Sequence, residues 1–422
     1  MKIALLMCVP AGVVSLLALA PGWTANPEVV RTAAANRPQF NFDESRVPRY
    51  DLPDVFGGRS IRTPEDWTSR RAQILELFRE HVYGRSPGPP DAVRFDVVEQ
   101  NERAMDGAAT LKRVSIMSTQ SGRQHRFDLT IFLPNAVAEA PMLLFMNNRL
   151  AADTDASRNW KSGFWPAEEI VARGYGIAAI ANDEVAPDDK DRYADGVIRL
   201  FEGNAAGSTR AANSWRALAA WGWAAKRAMD YLERDVRIDA ERIGLVGHSR
   251  GGKAALWAAA EDERFALVVS NESGEGGAAL TRRNFGETQA RINDTFPHGF
   301  AAGYRPFSGR GYALPLDQHM LLALVAPRAL YVASADEDLW SDPRGEFLSL
   351  AAASPVFALW GDRAIRPDDM PPLESPLVVG RRAYHIRRGV HDLTPYDWER
   401  FVDFADLQWR GRPTPAARDL RR

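Results

Sequence analysis

From Pro141 onward the chain carries a succession of short, unbroken apolar runs, a pattern that few folds accept. The runs are Met142-Leu143-Leu144-Phe145-Met146, Tyr175-Gly176-Ile177-Ala178-Ala179-Ile180, Ile243-Gly244-Leu245-Val246, Leu267-Val268-Val269 and Ala329-Leu330-Tyr331-Val332. A strand that is apolar on both faces must be covered on both faces, which is the condition of a parallel sheet held between two layers of helices. A long stretch rich in Trp, Ala and Leu, about 214–234, supplies one helix between the second and third runs. Upstream, residues 93–97, 111–116 and 127–133 alternate apolar with polar, the period of antiparallel strands with one solvated face. Before them, Thr63-Pro64-Glu65-Asp66 reads as a cap, a first-turn proline and early acids, opening an amphipathic helix that stops at Gly84. Together these give an α/β chain with a mostly parallel central sheet, antiparallel N-terminal strands and helices on both faces, a three-layer αβα sandwich.

The ends of the chain are of different character. Met1-Lys2, an apolar run from Ile3 to Ala20 and small residues near its close describe a secretory signal peptide over residues 1–25. Pro10 and Gly12 interrupt the run, so it falls short of the roughly 20 unbroken apolar residues of a membrane span. Cleavage after Ala20 and cleavage near Ala25 both fit. The expected mature protein is secreted or periplasmic, with no stable membrane insertion. Residues 26–60 have scattered Pro, Asn, Asp and Gly without a period and read as an extended N-terminal arm laid over a catalytic domain of residues 61–415. The only cysteine, Cys8, leaves with the leader, so no disulfide is possible afterwards. A hydrophobic fraction of 45% supports a sizeable core, and a net charge of −2 gives no pull on polyanions, so nucleic acid is not expected as a partner. A monomer is expected.

Chemistry enters at Gly247-His248-Ser249-Arg250-Gly251, which lies between the buried run 243–246 and the helical stretch 252–260. G-x-S-x-G between strand and helix is the nucleophile elbow of the α/β-hydrolase fold. The turn is so sharp that side chains flanking the serine would collide, and it leaves Oγ exposed at the carboxyl edge of the sheet. The helix that starts there aims free N–H groups at a reacting carbonyl, with the Arg250 N–H as oxyanion donor.

A serine hydroxyl needs a histidine base and a carboxylate to orient it, in the chain order serine, acid, histidine. Downstream stand His298, His319, His385 and His391. His391 follows the last strand-like run, Ala383–Ile386, in a position from which a loop at the sheet edge reaches the serine, whereas His385 lies within that strand and packs there. Two acids compete for the orienting role, Glu272 after the run 267–269 and Asp338 after the run 329–332. The usual position in this fold favours Asp338, and spacing alone does not decide between them.

Several ordered blocks now resemble the glucuronoyl esterases, family fifteen of the carbohydrate esterases, in its bacterial branch. They are Gly247–Lys253, Ser270–Gly277, Arg282–Glu287, Leu316–His319 and Glu337–Pro343, within a likeness spanning about 60–405. The resemblance implies a serine esterase that cleaves the ester between (4-O-methyl-)glucuronoyl groups of xylan and lignin alcohols, through an acyl-enzyme on Ser249. It implies glucuronoxylan and lignin-carbohydrate esters as substrates, and Glu272 as principal orienter of His391 with Asp338 as a second. It further implies an oxyanion role for the Arg250 side chain, and sugar contacts from Lys253, Glu287 and Trp340. His298 and His319, apart from the resemblance, read as substrate-facing or structural, and His298 is taken as a substrate contact. Lys253 is one helical turn beyond Ser249 and Trp340 offers a flat face to a pyranose, so the residue types suit those roles.

Two stretches depart from the family pattern. Asn147–Asp153 replaces an Asn-Phe-Gly-Gly-Asn-like loop, which bears on the second oxyanion donor, and His298-Gly299-Phe300 replaces an aromatic at its middle position. Rival readings are an acetyl-xylan or feruloyl esterase with the same triad, and a carbohydrate-binding protein that has lost turnover. No cofactor is expected, and no metal either, since the acids at 336–338 lack a glycine-turned calcium loop.

Overall fold

Alternation inside the unbroken apolar runs sends neighbouring side chains to opposite faces of one sheet. In the computed structural model, which describes residues 22–203 and 210–411 together with the backbone of 418–419, Met142, Leu144 and Met146 join one buried cluster while Leu143 and Phe145 join another. Val268 and Leu330 repeat the first assignment, Val269 and Tyr331 the second. Each run is apolar throughout because both faces are covered. The leader expected over 1–25 lies outside the described residues except for 22–25. No helix among the described residues is long and apolar enough to cross a membrane.

The strands are β1 (Ala92–Ala104), β2 (Ala109–Gln120), β3 (Arg123–Pro134), β4 (Ala140–Asn147), β5 (Gly176–Ala181), β6 (Ile238–His248), β7 (Leu267–Asn271), β8 (Ala329–Ala335), β9 (Leu377–Val379), β10 (Arg382–Arg387) and β11 (Arg418–Asp419). Their order in the sheet is β1-β2-β3-β5-β4-β6-β7-β8-β10-β9-β11. β1, β2 and β3 pair antiparallel, and β3 joins β5 antiparallel. From β5 through β4, β6, β7 and β8 to β10 every pairing is parallel. This is the α/β-hydrolase architecture. Helices Ala217–Leu232 and Arg250–Glu261 pack on one face, and Ala167–Ala172 and Pro395–Arg410 on the other.

The arm differs from its expected extended course, for it contains a helix, α1 (Pro27–Asn36). Asn26 caps it by accepting from Glu28 N, and Pro27 occupies the first turn. Val29 and Ala33, like Val30 and Ala34, lie one turn apart and pack on a small third cluster of Phe42, Phe285 and Leu339. This spacing is too short and too weakly apolar to announce a helix in the sequence. The arm is also pinned by Gly286 N donating to Asn41 O at 2.8 Å and by an Arg283–Glu44 ion pair at 2.7 Å. The second helix, α2 (Pro64–His81), has the expected start, with Thr63 and Asp66 closing a reciprocal capping box.

Candidate active site

Ser249 directly follows β6 with φ 54° and ψ −124°, a left-handed backbone that a serine adopts only where its surroundings enforce it. The enforcement is visible on both sides of it. A Cβ added to Gly247 would stand 2.1 Å from Gly251 O, and one added to Gly251 would stand 2.9 Å from Met146 O. Ser249 N donates to Asn271 O at 2.8 Å, fastening the elbow to the end of β7. The helix Arg250–Glu261 begins at the next residue, so its unbonded N–H groups point at the space above the serine.

The loop after β10 brings His391 to this elbow. Its ring lies 4.5 Å, centroid to centroid, from that of His248, the residue before the serine. Among the described residues no hydrogen bond links Ser249 Oγ to His391, and such bonds are often long before substrate arrives. His248 is buried and its Nδ1 is 2.5 Å from Asn271 Oδ1. Burial and the neighbouring His391 hold His248 well below the usual histidine range, so it packs as a neutral ring.

Both candidate carboxylates reach His391 Nδ1, Asp338 Oδ2 at 2.7 Å and Glu272 Oε2 at 3.2 Å. The expected ranking is therefore reversed in distance. Glu272 is held back because Arg387 Nη2 donates to its Oε1 at 2.6 Å and Asp392 N to its Oε2 at 3.1 Å. Burial works to lower the pKa of His391, but the charges and hydrogen bonds of Asp338 and Glu272 outweigh it and push it up to about 10. Burial raises the Glu272 carboxyl well above the usual range despite His391, with Asp338 adding to the rise. Burial also opposes ionisation of Asp338, yet His391 pulls that carboxyl below its usual value. Glu272, Asp338 and His391 each offer a ligand atom, all within 4.8 Å of one another, as a metal would require. These atoms are already matched, however, as an imidazole N–H lying between two carboxylate oxygens.

Of the residues expected at the sugar, Glu287 and Trp340 line one cavity and Lys253 stands beside Glu287. Lys253 is 3% exposed, its Nζ donates to Ser273 O and it stands 3.9 Å from Glu287 Oε2. Burial lowers the Lys253 ammonium and raises the Glu287 carboxyl, as expected for charges withdrawn from water. Glu287 N donates to Trp340 O at 2.8 Å, which couples the two. A cavity of about 260 Å³ opens here between Glu287, Trp340, Phe296 and Arg37. Arg250 places its guanidinium 4.1 Å over Phe296 and pairs with Asp188. His298 does not line this cavity. It is 4% exposed, and its Nε2 lies 2.8 Å from Asp188 Oδ1, so its link to the site runs through Asp188 and Arg250.

Three residues escaped the sequence reading. Arg387 bridges Glu272 and Asp397 and also donates to the carbonyls of Val390 and Asp392, clamping the His391 loop. Asp188 fixes Arg250. Arg149, in the atypical 147–153 loop, pairs with Asp392 at 2.8 Å and stacks 4.0 Å over Phe164. No spacing announces any of them, because each meets partners far away in the chain. His385, fully buried between Tyr331 and Asp397, packs as expected.

A mixed sheet of this order with a serine at a strand-to-helix elbow defines an α/β-hydrolase. Residues 116–361 match the family model described as glucuronyl esterase, fungi. The chain is 36% identical to carbohydrate esterase MZ0003 of an unknown prokaryotic organism, over 92% of this chain and 96% of that one. It is 28% identical to the 4-O-methyl-glucuronoyl methylesterase of Schizophyllum commune, over 74% of each. A solved glucuronoyl esterase from Solibacter usitatus superposes with a TM-score of 0.81 at 41% identity, covering 86% of this chain and 100% of that one. The chain belongs to the glucuronoyl esterase family.

Proposed function

We propose that this chain hydrolyses the ester joining a glucuronoyl or 4-O-methylglucuronoyl group of xylan to a lignin alcohol. The observation that carries the reading is an imidazole braced by two carboxylates, His391, with its ring 4.5 Å from that of His248, the residue before Ser249 at its strained elbow, in a chain whose relatives are named 4-O-methyl-glucuronoyl methylesterases. Ser249 Oγ attacks the ester carbonyl carbon and its proton passes to His391 Nε2. The carbonyl oxygen takes the charge and is met by the Arg250 N–H at the helix start. The bond from the acyl carbon to the alkoxy oxygen then breaks, and His391 returns its proton to that oxygen, releasing the alcohol. Water repeats the sequence on the acyl-enzyme and leaves a glucuronate carboxylate and free serine.

Asp338 is the principal orienter of His391 in this reading and Glu272 the second. Lys253 and Glu287 hold sugar hydroxyls, Trp340 stacks on the pyranose, and Asp188 keeps Arg250 beside the oxyanion. The basic start, apolar run and small residues of the first 25 positions support export, and the enzyme is taken to act as a monomer.

Hydrolysis of methyl 4-O-methylglucuronate compared with acetylated xylan tests the substrate class. The uronate ester is expected to be cleaved, and activity confined to acetate defeats the proposal. A fluorophosphonate is expected to label the wild type and not Ser249→Ala, whose kcat should fall by more than about 10³-fold.

A further inference from the structure

Glu272 has φ 46°, in the left-handed region that a glutamate enters only where its surroundings hold it there. Its own amide is fastened first, Glu272 N donating to Ala333 O of β8 at 2.7 Å. The peptide unit that follows, between Ser273 and Gly274, is gripped at both ends. Its carbonyl accepts from Lys253 Nζ, and its amide, Gly274 N, donates to Glu346 Oε1 at 2.9 Å. Glu346 is fully buried on the helix Pro343–Ala352, and its other oxygen accepts from Ser334 Oγ of β8 at 2.6 Å. Ser273 Oγ donates to the first oxygen as well, at 3.3 Å. One carboxyl thus spans the gap between the loop that carries Glu272 and the strand that leads to Asp338.

We propose that Glu346 is a positioning residue for the reaction: by fixing the peptide after Glu272 against β8, it keeps the Glu272 carboxylate on His391 beside Asp338. The inference rests on the ester-cleaving reading above and deepens it. Among the described residues Glu346 makes no hydrogen bond to Ser249 or His391, so it acts through the glutamate. A strained backbone relaxes once the contacts that enforce it are removed. Glu272 Oε2 meets the imidazole at 3.2 Å, at the long end of a hydrogen bond, so a small rotation is enough to part them. Asp338 reaches the same nitrogen from the loop after β8 at 2.7 Å and keeps its hold. Burial pushes the Glu346 carboxyl up to about 8, against the bonds from Ser334 and Gly274, so an uncharged amide of the same length is a close substitute for it.

Steady-state kinetics on methyl glucuronate across pH test this, for the wild type, Glu346→Asp and Glu346→Gln, each with and without Glu272→Gln. Glu346→Asp is one methylene too short to join Gly274 to Ser334. It is expected to lower kcat by about tenfold, the loss of one hydrogen bond to the imidazole, with KM little changed. Its rising pH limb should move down by about 1 unit, because one of the two groups that hold the proton on His391 has withdrawn. Adding Glu272→Gln to Glu346→Asp should cost little more, since the contact it removes is already lost. Glu346→Gln, which keeps the length and an oxygen for Gly274 N, should retain most of kcat. Thermal unfolding establishes that the variants fold. Should the aspartate variant not fold, Ser334→Ala, which frees the second oxygen, takes its place with the same expected non-additivity. Losses that multiply in the double variant, an unmoved pH limb, or a glutamine variant no better than the aspartate one overturn the proposal. A wild type inert towards methyl glucuronate defeats the ester-cleaving reading itself, whereas an active wild type matched by Glu346→Asp overturns this inference alone.

Discussion

Arg387 Nη2 donates to Glu272 Oε1 at 2.6 Å, so the glutamate that touches His391 is shared between a fixed guanidinium and the imidazole. Among the described residues Asp338 has no such cation, and it stands closer to the ring, at 2.7 Å. The two carboxylates are therefore unequal, and kinetics should rank them. Asp338→Asn is expected to lower kcat on the order of 10²- to 10⁴-fold, the range of general-base assistance. Glu272→Gln should lower it on the order of tenfold, the loss of one hydrogen bond. Steady-state rates on methyl glucuronate check both, and a larger loss at Glu272 reverses the assignment.

Both carboxylates stabilise the charged imidazole, which pushes His391 up to about 10. The reactive form is the neutral ring, so kcat/KM should rise with pH well past about 6.5, the ordinary histidine value. Removing an anionic partner weakens the hold on the proton. The rising limb of Asp338→Asn should accordingly move to lower pH, by about 1–3 units. Rate profiles from pH 5 to 10 test this, and a limb that stays in place or moves upward contradicts it.

Lys253 is buried among oxygen acceptors, with Glu287 as its counter-charge. Lys253→Met keeps much of its volume and removes the donor. It should lower kcat/KM for glucuronate esters by about 10- to 100-fold, as expected for a hydrogen bond from a charged group. Rates for p-nitrophenyl acetate, which has no sugar hydroxyls, should change far less.

A methyl group at position 247 has no room, because its carbon would stand 2.1 Å from Gly251 O. Gly247→Ala should destabilise the protein by about 3 kcal/mol or more, beyond ordinary overpacking. Thermal denaturation measures it, and a melting temperature equal to that of the wild type refutes it.

The carboxylate oxygens of Glu272 and Asp338 both accept from the His391 Nδ1–H. Turnover should therefore survive dialysis against EDTA. A loss restored by a divalent ion means that these three groups hold a metal.

The parallel half of the sheet was legible because a strand covered on both faces must be apolar throughout, as at 142–146 and 243–246. The antiparallel half was legible only in part. β1 continues to Ala104 through Gln100, Asn101 and Glu102, a polar stretch held by backbone pairing to β2 and not by burial. Ser249 and His391 were candidates from the elbow motif and from chain order, and the fold brings the His391 ring beside that elbow. Arg387 and Asp188 were not, since Arg387 meets a partner 115 positions away and Asp188 meets Arg250 from another loop. The nearness of Asp338 depends on what else occupies Glu272, and only three-dimensional contacts reveal that.

Arg387 is the last residue of β10 and lies beside Ala335 of β8. Because side chains alternate along a strand, sliding β10 by a single position would turn this guanidinium towards the opposite helical layer. The His391 loop would then lose its anchor with every one of its own residues intact. Substitutions that loosen the fit of β10 on β8, out of reach of any ligand, are thus a route to an inactive but well-folded enzyme.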